Sequence, residues 1–131
     1  MATYAFETIT AQQALAIGPL DVVPFAGSPR GVTVAYNIPA VGPASVTISF
    51  GGRSVEFGPG VLEISERGGL DFDGASRLLI GGAENDALMG FGEADALFGG
   101  QGDDTLVGQG GGDVMQGNAG NDRLFGDRGA D

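Results

Sequence analysis

The chain has 131 residues, of which 26 are glycine, and it carries a formal net charge of −11 with no cysteine, histidine or tryptophan. That charge is uneven: five acids face three arginines up to Arg67, and twelve acids face three arginines from Gly68 onward. So acidic a second half argues against nucleic acid, whose backbone demands basic contacts, while the missing Cys and His exclude a thiol nucleophile, a Ser–His arrangement and the usual zinc and haem sites.

The length suits one domain, or a small cap joined to a repeat region. Glycine is about three times its usual frequency beside an ordinary apolar fraction, so wholesale disorder is not expected. The N-terminus, MATYAFETIT, has neither a basic start nor a continuous apolar run, and no later segment approaches membrane-spanning length. Residues Thr3 to Ile9 alternate like a strand. Thr10-Ala11-Gln12-Gln13 reads as a capping box that opens a short helix, AQQALAI, stopped by Gly18-Pro19. Leu20 to Phe25 reads as a strand that Pro24 confines to an edge. Val32–Ile38 and Val46–Phe50 are the clearest strands, and Gly51-Gly52 predicts a hairpin into Ser54–Phe57. Val61–Ser65 (VLEIS) follows the Gly58-Pro59-Gly60 turn and reads as one more strand. No polar constellation stands out in this part, and Glu7, Asp21, Glu56 and Glu63 are assigned to solvated faces. So short a unit buries little core alone, and sharing its last strands with the glycine-rich second half would relieve that.

From Gly81 the chain repeats every nine residues: GGAENDALM, GFGEADALF, GGQGDDTLV, GQGGGDVMQ, GNAGNDRLF and GDRGAD. Glycine opens each unit (Gly81, Gly90, Gly99, Gly108, Gly117, Gly126). Aspartate holds the sixth position, and a large apolar residue holds the eighth (Leu88, Leu97, Leu106, Met115, Leu124). Units this small bury a face only by stacking, so the period marks a solenoid. The preceding nonamer, FDGASRLLI, keeps Leu79 at the eighth position but has Arg77 where aspartate belongs. It reads as a coil without a metal carboxylate. Met89, Val107 and Phe125 at the ninth position predict an apolar stripe along one sheet.

The pattern resembles the calcium-binding repeat of RTX (repeats-in-toxin) proteins, G-G-x-G-x-D-x-U-x with U large and apolar. The resemblance implies an all-β chain: a right-handed parallel β-roll over 69–131 with an incomplete last coil, behind a β-rich cap over 1–68 that carries one short helix. It also implies that the sixth-position aspartates Asp86, Asp95, Asp104, Asp113, Asp122 and Asp131 supply side-chain oxygen. Gly82, Gly100, Gly102, Gly111 and Gly120 are the carbonyl candidates. With two units per coil, loops 81–86, 99–104 and 117–122 stack on one edge, and loops 90–95, 108–113 and 126–131 on the other. Stacked carboxylates repel one another, and a divalent ion between loops converts repulsion into ligation. Two gaps per edge give about four calcium ions.

Departures from the pattern predict unequal loops. Glu84 and Glu93 replace the fourth-position glycine, where a left-handed backbone costs a side chain about 1–2 kcal/mol. Phe91, Gln109, Asn118 and Asp127 replace the second glycine, so the loops from Gly99 onward are expected to be the best sites. A metal-free alternative, in which stacked aspartates simply hydrogen-bond backbone amides, stays open at this point.

The resulting expectation is a non-enzymatic, secreted calcium-binding structural or extracellular-matrix protein that folds on calcium outside the cell. The resemblance implies type I export, and since no segment after the repeats could serve as an uncleaved export signal, the chain is read as a piece of a longer protein. The lysines acylated in RTX toxins have no counterpart here. Head-to-tail assembly through the last coil into a filament is the expected partner interaction, besides calcium itself. The alternative is a calcium-binding fragment of a larger RTX hydrolase or toxin. A carboxylate-pair glycosidase ranks far behind, because the aspartates are better explained as ligands.

Overall fold

The fold is that of a computed structural model, described for residues 2–18, 21–27, 31–37, 45–66, 70–72 and 76–129, with residues 37, 63, 64 and 66 described by backbone alone. The first helix, α1 (Ala11–Leu15), starts where the capping box puts it: Thr10 Oγ1 accepts from Gln13 N and Gln13 Oε1 accepts from Thr10 N. The two strands expected on either side of α1 shrink to a single parallel bridge, Thr3 with Val22. The reason lies in one residue. Val22 N donates to Ala2 O, Tyr4 N to Val22 O and Phe6 N to Pro24 O. The bond that would complete this ladder needs an N–H at position 24, and proline has none.

Strands β1 (Thr33–Asn37), β2 (Ser45–Phe50) and β3 (Arg53–Phe57) form an antiparallel sheet in that order. Gly51 and Gly52, with φ of 60° and 79°, make the β2–β3 turn, since only such a pair follows the twist of the hairpin without steric cost. Beyond it the structure corrects the sequence reading. Val61–Ser65 is not a strand but lies in a second helix, α2 (Gly60–Glu66). Pro59 precedes it with φ preset for a helix start. Val61 and Ser65 are buried and Leu62 is partly buried, which is one helical face rather than alternate residues of a strand.

Six short strands come next: β4 (Leu78–Ile80), β5 (Ala87–Met89), β6 (Ala96–Gln101), β7 (Thr105–Val107), β8 (Val114–Ala119) and β9 (Arg123–Phe125). They alternate between two parallel sheets, β4-β6-β8 and β5-β7-β9. Pairing is between residues two repeat units apart, as in Leu79 with Leu97 and Leu88 with Leu106. Eighth-position residues of both sheets meet in one cluster of Leu79, Leu88, Leu97 and Leu106, with Met115 against it. Leu124, expected to join them, is 44% exposed.

Outward-facing residues of the two sheets meet different fates. Leu78, Ile80, Ala96 and Phe98 of the first sheet are buried in the same core as Phe6, Phe57 and the rest of the N-terminal unit. That core therefore runs across the expected boundary at residue 68. A stack of Phe6, Phe25 and Phe72, with centroids 4.5 and 4.6 Å apart, lies within it. Met89, Val107 and Phe125 lie in register on the second sheet, with Met89 and Phe125 about half exposed.

Two devices seal the free edge of β4. Leu78 N donates to Leu70 O and Phe72 N to Ser76 O, so residues 70–72 lie along the strand. Ser65 Oγ, buried, accepts from Ile80 N at 3.1 Å, and its one proton lies between Leu62 O at 2.9 Å and Ile80 O at 3.0 Å. An unsealed edge would template pairing with another chain.

Candidate metal centre

Four sixth-position aspartates, Asp95, Asp104, Asp113 and Asp122, reach the coil before their own. Oδ1 of Asp104 accepts from Asp86 N at 2.7 Å, Oδ1 of Asp113 from Asp95 N at 2.9 Å, and Oδ1 of Asp122 from Asp104 N at 2.9 Å. The column extends one coil further back: Asp95 Oδ1 accepts from Arg77 N at 2.7 Å, placing Arg77 in the aspartate register as the nonamer FDGASRLLI implied. The guanidinium of Arg77 stands 4.2 Å from the Phe91 ring centre, so a cation–π contact occupies the outer side of that coil.

The second carboxylate oxygen divides the loops into two classes. In loops 81–86 and 90–95 it is used locally, Asp86 Oδ2 accepting from Gly82 N at 2.8 Å and Asp95 Oδ2 from Phe91 N at 2.7 Å. From Gly99 onward the backbone changes. The second residue of each loop is left-handed (Gly100 99°, Gln109 74°, Asn118 72°, Asp127 60°), and so is the fourth (Gly102 112°, Gly111 115°, Gly120 134°, Gly129 142°). Neither Glu84 nor Glu93 takes that conformation. The loops bend otherwise, as the cost of a left-handed glutamate dictates. With Gly100 turned, Asp104 Oδ2 loses the local amide and stays fully buried without a hydrogen-bond partner. Burial pushes the Asp104 carboxyl above its ordinary range, the charges of Asp86, Asp122 and Asp103 push it the same way, and the bond from Asp86 N opposes them.

Glycine at the first position is dictated by the same carboxylate. A Cβ on Gly99 would overlap Asp104 Oδ2, and one on Gly108 or Gly117 would overlap Asp113 or Asp122 likewise. At the fourth position a Cβ on Gly102 would overlap Glu84 O, and one on Gly120 would overlap Gly102 O. Main-chain carbonyls therefore crowd the space between successive coils.

The candidate ligands thus sort plainly. Asp95, Asp104 and Asp113 are buried, Asp86 and Asp122 partly so, and Asp131 lies outside the described residues. Gly100, Gly102, Gly111 and Gly120 share the left-handed turn; Gly82 does not. A second column escaped the sequence reading. Asp103 N donates to Asn85 Oδ1 at 2.8 Å and Asn121 N to Asp103 Oδ1 at 2.9 Å, opposite in direction to the aspartate ladder. The signal was there at a period of eighteen: the fifth position is polar on this edge and Ala94 or Gly112 on the other.

Among the described residues no three acidic, His or Cys side chains converge on one point. One carboxylate per turn amid carbonyl oxygens is a poor zinc site and a suitable one for a hard cation with many oxygen ligands. The amide bonds of the metal-free alternative are present too, but they leave Asp104 Oδ2 unmatched. The residues fit calcium.

Parallel strands two units apart, joined by stacked Asp–Gly turns around a column of buried carboxylates, define a nonapeptide-repeat protein. Residues 78–106 and 98–131 match the model of the RTX calcium-binding nonapeptide repeat in four copies, so this stretch carries RTX repeats. RTX nonapeptide repeats bind calcium. No curated protein and no solved structure matches the chain.

Proposed function

We propose that the chain is a secreted, calcium-binding structural module, without catalytic activity, whose repeat region folds as calcium binds outside the cell. The observation that carries this reading is Asp104 Oδ2, a carboxylate oxygen buried with no donor beside it. Burial of an unmatched charge is costly, and a divalent cation removes the cost. On this reading the two parallel sheets are the walls of a right-handed β-roll. The sixth-position carboxylates and the carbonyls between coils hold about four ions, which offset the repulsion among the stacked carboxylates. The sites fall into two classes, tighter where both flanking loops carry the two left-handed residues and weaker where loops 81–86 and 90–95 take part.

Extracellular calcium is millimolar and cytosolic calcium far lower, so binding free energy becomes folding free energy only after export. Head-to-tail assembly belongs to the same reading and draws on the half-exposed Leu124 and Phe125 of β9. No described helix is long and apolar enough to cross a membrane.

Far-ultraviolet circular dichroism during a calcium titration, repeated with chelator, tests the reading. Strand signal rising with calcium to the millimolar range and vanishing with chelator is expected. A spectrum indifferent to both refutes it.

A further inference from the structure

We propose that Tyr36, which belongs to the N-terminal sheet, is a positioning residue for cation binding between loops 81–86 and 99–104, so that docking of the N-terminal unit sets the affinity of that gap. The inference rests on the calcium reading above and adds a residue that no repeat pattern contains.

Tyr36 Oη donates to Phe98 O at 3.3 Å, and the same carbonyl accepts from Gly81 N at 2.7 Å. Phe98 is the residue before Gly99. One carbonyl therefore ties the first residue of loop 81–86 to the entry of loop 99–104, and Tyr36 holds that carbonyl from outside. Tyr36 also lines an apolar crevice with Leu62 and with Gly82, Ala83 and Gln101, which belong to the two loops that bound the gap. Burial first, and then the charges of Asp104 and Asp86, push the Tyr36 hydroxyl above its ordinary range.

Loop 81–86 is also the loop that needs help. It lacks the left-handed residues that shape the loops from Gly99 onward, and an external tether fixes its start against the next coil. On the other edge, the crevice beside loops 90–95 and 108–113 is lined by repeat residues, among them Phe91, Gln109 and Arg128. Gln109 Nε2 donates to Gly90 O there at 3.0 Å, so that edge supplies its own tether.

The composition supplies the test. With no tryptophan and two tyrosines, Tyr4 and Tyr36, only these rings can sensitise terbium emission. Terbium replaces calcium in the full chain, with excitation of tyrosine and emission as the readout. The unaltered chain and Tyr4→Phe give sensitised emission, and Tyr36→Phe loses it. Asp104→Asn loses it with Tyr36 intact, and Asp113→Asn, on the other edge, keeps it. In calorimetry Tyr36→Phe weakens one calcium ion of the weaker class about fivefold, the worth of one hydrogen bond, and leaves the others unmoved. Emission that survives Tyr36→Phe, or calcium affinities that do not change, overturn the inference while the calcium reading stands. Failure of the unaltered chain to take up calcium overturns both.

Discussion

Asp104 concentrates the chemistry of the repeat in one side chain. Its Oδ1 accepts from Asp86 N, its Oδ2 has no partner, and its proton affinity is raised by burial and by three neighbouring acids. A carboxyl whose folded pKa lies above its unfolded value binds more protons when folded. The stability it contributes is present at low pH and lost as pH rises through the raised value. The calcium-free chain is therefore expected to gain strand signal between pH 7 and about pH 4, and circular dichroism in chelator checks this; a monotonic loss on acidification contradicts it. With calcium bound the sense reverses, because protons compete for the ligand. Asp104→Asn keeps the shape and removes the charge. It should raise the calcium needed for half-folding by at least about tenfold, the scale seen even for outer-shell partners of metals, while Glu7→Ala on the exposed N-terminal surface leaves it unchanged. Two glycines offer a sharper contrast. Gly99→Ala drives a Cβ into Asp104 Oδ2 and should cost about 1–3 kcal/mol in calcium-saturated urea unfolding. Gly92→Ala meets nothing within 4 Å and is not left-handed, so it should be neutral or stabilising by about 0.4–1 kcal/mol.

At the scale of elements, α2 governs how the repeats begin. Its Ser65, buried, takes the N–H of Ile80, the last residue of β4, and shares its one proton between the carbonyls of Ile80 and Leu62. Ser65→Ala leaves Ile80 N without a partner and should lower stability by about 1–3 kcal/mol, read as a shift of the urea midpoint in saturating calcium. This element was misread from sequence because VLEIS holds β-branched residues after a Gly-Pro-Gly turn, and five residues are too few to separate a period of 2 from one of 3.6. What decides it is tertiary: Val61, its neighbour Leu62 and Ser65 all face the core, which a helix allows and a strand does not. The N-terminal strand pair failed for a local reason that was legible, Pro24, whose effect on a parallel ladder was underestimated. The repeat was legible almost throughout. Period, register of eighteen and unequal loops are all set by Gly, Asp, Glu84 and Glu93. The fifth-position ladder of Asn85, Asp103 and Asn121 was missed because it repeats every second unit and vanishes when columns are read every nine residues.

For the whole molecule, the question is whether the acidic half is held apart by long-range repulsion or by a specific lack of ligands. Residues from Gly68 onward carry a balance of −9 against −2 before them. Repulsion between exposed acids is screened by salt, the Debye length falling to about 3 Å at 1 M. The ladder is different, since Asp95, Asp104 and Asp113 are buried within it and bulk ions do not reach them. Sodium chloride should therefore recover little of the strand signal of the calcium-free chain, and what it recovers should come from exposed acids such as Glu84, Glu93 and Asp103. Magnesium carries the same charge as calcium but demands a tight octahedron and gives up water reluctantly. Carbonyls fixed by stacked turns cannot contract to meet it. The expected order at equal concentration is calcium far above magnesium, and magnesium above sodium, in titrations of one sample followed by circular dichroism. If molar sodium chloride restored the fold as fully as millimolar calcium, the aspartate column would be a charged surface that happens to repeat. If magnesium matched calcium, the carbonyls between coils would not be ligands, and the geometry at Gly102 and Gly120 would serve packing alone.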